Sequence, residues 1–183
     1  MYFFSFGYYM KKSINADQLK LNDKKYTNEL LDRTDRKILN ILQKDNQITN
    51  QALAAKVGIS APPCFRRVKR LRDEGIILHD VALVDPFKVG KPLIVFVNIT
   101  LEKQREDLLA HFERKMSAEP EVMQCYFVSG DTDYLLIIHV KDMSDYNEFA
   151  RRVFANEPNI KQFRSSFCLN RTKYNTQVVL SED

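Results

Sequence analysis

The sequence predicts an α+β chain in two folded parts: an N-terminal helix-turn-helix unit of winged-helix-like type, then a ferredoxin-like βαββαβ domain. Three features predict it. Residues 31–80 contain three short stretches with helical apolar spacing, punctuated by Gly58 and by Pro62–Pro63. Beyond residue 92, β-rich runs and amphipathic stretches alternate as strand–helix–strand–strand–helix–strand, the split βαβ order. The charge is also uneven: residues 31–80 hold ten Lys/Arg against six Asp/Glu, whereas residues 81–183 hold thirteen against fifteen. A basic excess confined to one part is expected where only that part meets a polyanion.

The first thirty residues precede these parts. "MYFFSFGYYM" has neither the positive n-region nor the small-residue cleavage site of a signal peptide. Residues 11–29 are polar and lysine-rich without a sustained apolar period, so 1–30 are expected to form a disordered arm. Met10, followed by two lysines, is an alternative start. No apolar run reaches the roughly 18 residues needed to span a bilayer, so no membrane partner is expected. Cys64, Cys125 and Cys168 are widely spread, with no CxxC and no histidine at ligand spacing. That pattern suggests reduced thiols in a cytoplasmic protein and no metal site.

The first helix opens at Asp32 as N-cap and places Ile38, Leu39, Ile41 and Leu42 on one face. The second is capped by Thr49, stapled by Ile48 and Leu53, and stopped by Gly58. The third begins near Ser60, whose hydroxyl is expected to cap it. Prolines are tolerated in a first turn because its N–H groups lack intrahelical acceptors. Their bias on the preceding residue predicts a start one or two residues later. Phe65, Val68 and Leu71 are expected as the buried stripe, leaving Arg66, Arg67, Lys69, Arg70 and Arg72 largely outside it. Of these five cations Lys69 and Arg70 have acidic residues four positions away, Asp73 and Glu74, and the other three have none. A solvated basic face is the bland reading. A short helix, a glycine turn and a basic helix together favour a recognition helix that enters the major groove of double-stranded DNA.

Residues 31–77 contain LDxxDxxIL and the segment S-x-x-P-C-x-x-R-V-x-R-L, and "VSGDTDYLL" follows at 128–136. With these motifs the chain resembles the Lrp/AsnC (leucine-responsive, feast/famine) family of transcription factors over about residues 31–180. It departs in having Ala61 then Pro62, where the family usually has Pro then Thr or Ser, and Arg66 where relatives can carry an acid. The resemblance implies a sequence-specific regulator modulated by an amino-acid effector, with homodimers assembling into higher even oligomers, an octamer among them. Ser60, Ala61, Pro62, Cys64, Arg66, Arg67, Lys69 and Arg70 are expected to meet DNA.

Residues 81–92 read as a strand-bearing linker, and the resemblance implies that the βαββαβ domain of 93–183 senses amino acids and mediates oligomerisation. "PLIVFVNITL", "EVMQCYFVSG", "DYLLIIHV" and "IKQFRSSFCLN" are expected strands, with "TQVVL" as a closing one. Leu108, Leu109 and Phe112 mark one helix; Phe149 and Val153, with Ser144 as cap, mark the other. His79, His111 and His139 lie apart, and neither a Gly-rich phosphate loop nor HExxH is present, so no catalytic residue or cofactor is expected. The turn at Gly130 is the remaining place for chemistry. There Asp131 and Asp133 offer acceptors for an α-ammonium group, with Val128, Ser129 and Tyr134 beside them, and the resemblance implies Met143 as a further apolar neighbour. A plain β-turn, and core packing for Met143, are the alternatives. A nucleoid-organising protein without effector and an amino-acid-sensing enzyme subunit are the rival functions.

Overall fold

The computed structural model describes residues 31–182, so the expectations for the arm lie outside the described residues. The chain divides into two compact units, residues 83–172 and, around them in sequence, residues up to 82 together with 173 onward.

The first unit contains three helices, α1 (Arg33–Leu42), α2 (Asn50–Val57) and α3 (Ala61–Asp73). Asp32 caps α1 by accepting from the Asp35 N–H at 2.8 Å, while the Asp35 carboxylate accepts from the Asp32 N–H at 3.3 Å. This reciprocal box satisfies two of the orphan donors of the first turn. Thr49 Oγ1 accepts from the Ala52 N–H at 3.2 Å at the head of α2. Gly58 ends that helix in the left-handed region, φ +87°, with its N–H on the Ala54 carbonyl. Ile38, Leu39, Leu53, Ala54, Val57, Cys64, Val68 and Leu71 form the core, with Ile48 packed at its margin.

Three expectations for α3 are corrected. Ser60 stands at the N-cap but its hydroxyl makes no capping bond. A cap side chain accepts from the second or third helical N–H, and those positions are Pro62 and Pro63, which have none. The helix nevertheless starts at Ala61, without the delay expected from the prolines. The buried stripe is Cys64, Val68 and Leu71, spaced i, i+4, i+7; Phe65 is 53% exposed. Cys64 therefore belongs to the core, and burial raises its thiol pKa.

The second unit is a four-stranded antiparallel sheet of β1 (Leu93–Leu101), β2 (Val122–Phe127), β3 (Tyr134–Val140) and β4 (Ile160–Phe167), ordered β2-β3-β1-β4. With α4 (Glu106–Ala118) and α5 (Met143–Val153) it gives the ferredoxin-like βαββαβ order. β1 and β3 alternate buried and half-buried residues, as central strands covered by helices on one face should. Val95, Val97, Ile99, Leu136 and Ile138 meet Leu109, Phe112, Met116, Phe149 and Val153 in the core. The cap of α5 is Asp142, accepting from the Asp145 N–H at 3.0 Å, and not Ser144. A carboxylate one position before the helix outranks a hydroxyl already inside it.

No strand forms in residues 81–92, where 86–90 turn instead, nor in the tail containing "TQVVL". That tail belongs to the first unit. Gln43 accepts from the Val178 N–H at 2.7 Å and donates to the Val178 carbonyl at 3.0 Å, as a neighbouring strand residue would. Asn40 Nδ2 donates to the Leu180 carbonyl at 2.9 Å, and Leu180 packs against the helical core.

Candidate nucleic-acid interface and ligand loop

α3 follows a glycine turn, and its side chains separate into three edges. Cys64, Val68 and Leu71 face the core. Arg67 and Arg70 are tied to α1: Arg67 Nη1 lies 2.6 Å from Asp32 and 2.8 Å from Asp35, and Arg70 Nη2 lies 2.5 Å from Asp35. The Asp35 side chain is 1% exposed, against 33% and 42% for the two arginines. A buried carboxylate without a partner would be costly, so Asp35 draws both cations to it. Burial pushes the Asp32 carboxyl upward, but the Asp35 N–H and Arg67 outweigh it and hold it below its ordinary value. The third edge is open, with Pro62, Phe65, Arg66 and Lys69 exposed.

The eight residues expected to meet DNA thus divide. Arg66, Lys69, Ser60 and Pro62 are exposed on α3 or its cap, and Ala61 is half-buried at the edge of the core. Arg67 and Arg70 already hold Asp35, and Cys64 presents no surface at all. Asp35 itself escaped sequence reasoning. The D-x-x-D spacing at 32–35 signals a capping box, but its pairing with α3 depends on how two helices pack.

In the second unit, the turn from β2 to β3 brings Val128 through Asp133 together. The Val128 N–H donates to the Asp133 carbonyl at 2.8 Å, and Gly130 takes φ +128° in open space. Ser129, Gly130 and Asp131 are exposed and Val128 is half-buried. Asp133 is 6% exposed and serves the fold. One oxygen accepts from the Leu101 N–H at 2.7 Å and the other from the Gln104 carboxamide. Tyr134 is a core residue, stacked near Phe112 and Phe127, with its hydroxyl donating to Glu113 at 2.8 Å. Burial, then the Glu113 carboxylate, raise the Tyr134 pKa. Met143 is exposed at the start of α5, beyond the far end of β3. A seven-residue strand spans roughly 20 Å, so a single chain does not bring Met143 to the loop. A surface hollow along α4, lined by Ala110, Glu113, Arg114, Ser117 and Ala118, includes none of the loop residues. Among the described residues no His/Cys/Asp/Glu cluster could hold a metal ion, and no helix is long and apolar enough to cross a membrane.

A three-helix unit with an open basic edge on its third helix, joined to a ferredoxin-like domain, defines a DNA-binding transcriptional regulator. Residues 31–77 match the winged helix-turn-helix DNA-binding model and residues 94–178 the Lrp/AsnC ligand binding domain model. An uncharacterised HTH-type transcriptional regulator of Haemophilus influenzae is 43% identical, the match covering 85% of this chain and 92% of the relative. The leucine-responsive regulatory protein of Escherichia coli is 37% identical over 87% and 98% of the two chains. A transcriptional regulator of Neisseria meningitidis, solved in complex with L-Met, superposes with a TM-score of 0.77. It is 34% identical, with 81% of this chain and 96% of that chain covered. The chain belongs to the Lrp/AsnC family of transcriptional regulators.

Proposed function

We propose that the protein reads operator DNA with the open edge of α3 and that a free amino acid, held near the 128–133 turn, changes that binding. The exposed pair Arg66 and Lys69 carries the DNA half of the reading. They stand on the helix that follows the glycine turn, clear of the carboxylates that hold Arg67 and Arg70. Ser60 and Pro62 flank them at the helix N-terminus, the end that approaches base edges. Arg67 and Arg70 act first as fasteners of α3.

For the effector, Asp131 replaces Asp133 as the acceptor of an ammonium group, since both oxygens of Asp133 are already engaged. A zwitterion also needs donors for its carboxylate, which exposed backbone around Gly130 can supply. L-Met, bound by the Neisseria relative, and leucine, named in the Escherichia coli relative, are the first candidates. Homodimers are the proposed minimum, and octamers the larger form. The support is the sheet face opposite the helices, where Phe96, Leu135, Ile137 and Tyr126 form an apolar row across three strands. Helix-turn-helix dimers engage two half-sites about one helical turn of DNA apart.

Calorimetry with L-Met and L-Leu, paired with binding to duplexes selected from a random pool, tests the whole reading. Binding of either amino acid, weakened about tenfold by Asp131→Asn, is expected, together with a shift in operator affinity. Binding by neither, with uniform affinity across duplexes, would favour the nucleoid-organising rival.

A further inference from the structure

We propose that Phe65, beside Arg66 and Lys69, reads a thymine methyl group in the major groove. The inference rests on α3 entering that groove and adds what it recognises there.

With the core edge and the Asp35-bound edge of α3 accounted for, the remaining stripe runs Pro62, Phe65, Arg66 and Lys69, and ends at the exposed Asp73 in the last turn. Residues spaced three and four apart share one face of a helix. Phe65 is in the second turn, near the N-terminal end that lies closest to base edges in helix-turn-helix complexes. A single exposed apolar side chain is ordinary on a protein surface. What distinguishes Phe65 is its company: a 53% exposed ring adjoining two cations that would draw the same face onto phosphates and bases. The surface it meets there is polar except at one group. Cytosine offers an amine, guanine two acceptors, adenine one of each, and thymine a C5-methyl beside its O4. A phenyl ring has no donor or acceptor. Placed over cytosine, guanine or adenine it would desolvate a polar edge without replacing the lost hydrogen bonds. Over thymine it covers a methyl group, and the neighbouring guanidinium and ammonium remain free for acceptors on adjacent bases and phosphates.

The test uses the full chain and the duplexes it selects from a random pool. Each thymine in the selected site is replaced in turn by deoxyuridine, which keeps base pairing and O4 and removes only the methyl. One thymine per half-site is expected to matter. Its replacement should weaken binding of the unmodified protein about fourfold, the equivalent of one methyl group returned to water. Phe65→Ala should bind the thymine and deoxyuridine duplexes equally, with an unchanged melting temperature. Phe65→Leu, still apolar and long, should retain a preference for thymine. Deoxyuridine tolerated at every position by the unmodified protein would overturn the inference, as would a thymine preference kept in full by Phe65→Ala. In either case selection would still depend on Arg66 and Lys69. If Arg66→Ala with Lys69→Ala left the selected sequences and affinities unchanged, α3 would not be the reading helix, and the inference would fall with that assignment.

Discussion

Asp35 governs the chemistry of the first unit more than any of the five cations of α3. Its carboxylate holds two arginines of α3 while closing the capping box of α1. Asp35→Asn preserves shape and removes charge. Hydrogen bonds to charged groups contribute about 1.5–3 kcal/mol, and both arginines are partly exposed and can rehydrate, which places the loss at about 1–2 kcal/mol by urea titration. The same substitution releases Arg67 and Arg70. If both then reach phosphates, the log–log salt dependence of DNA binding steepens by up to about two. A protein that is less stable yet more salt-sensitive on DNA, and less selective among duplexes, is the expected outcome; an unchanged slope would show that the arginines already touch phosphate while holding Asp35. The basic cluster was legible in the sequence because charge can be counted. Which of its members are free was not, because Asp35 lies more than thirty positions away and meets Arg67 and Arg70 only through helix packing. Asp133 is the parallel case. Its place in a Gly-Asp turn suggested a ligand, and only the approach of the Leu101 N–H reveals a carboxylate that closes the end of β1.

At the scale of elements, the boundaries were legible wherever local chemistry decides them, as at Asp32, Thr49 and Gly58. They failed where a second local rule intervened. Ser60 looks like a cap but faces two residues without N–H groups. Ser60→Ala should therefore leave thermal stability within about 0.5 kcal/mol, whereas Thr49→Ala removes an observed capping bond and should cost about 1 kcal/mol. Equal losses at the two positions would mean that Ser60 supports α3 by some other contact. β3 carries a different signature. His139 sits half-buried within it, and burial, then the Arg171 charge, hold its pKa below the ordinary 6.5. The fold thus favours neutral His139. Its contribution is fully present above pH 6.5 and is lost as pH falls through the lower folded value. Urea midpoints of the second unit should decline over that interval, and His139→Gln should flatten the decline.

For the whole molecule, the sequence conveyed a helix-turn-helix unit followed by a ferredoxin-like domain, and grouped the last segment with the second, whereas residues 173 onward pack with the helices. "TQVVL" has strand composition, and composition cannot say which backbone will be offered a partner. The Gln43 carboxamide provides that partner, and Leu180 joins the helical core. A chain ending at Thr172 should accordingly lose about 1–3 kcal/mol from the helical unit, from one half-buried leucine and several side-chain-to-backbone bonds. The second unit should unfold as before. Differential scanning calorimetry separates the two transitions, and a helical transition that does not move would show that the tail rides on α1 without supporting it.

The return of the tail to α1 makes the DNA-binding head a composite of two stretches that are remote in the gene. A head of this kind is not a cassette. Exchanging residues 31–82 alone would remove Asn40 and Gln43, the side chains that hold the tail, and leave the tail behind. Recombination that respects the fold has to carry residues 31–82 and 173–182 together, although the sequence order would leave the latter with the sensing domain.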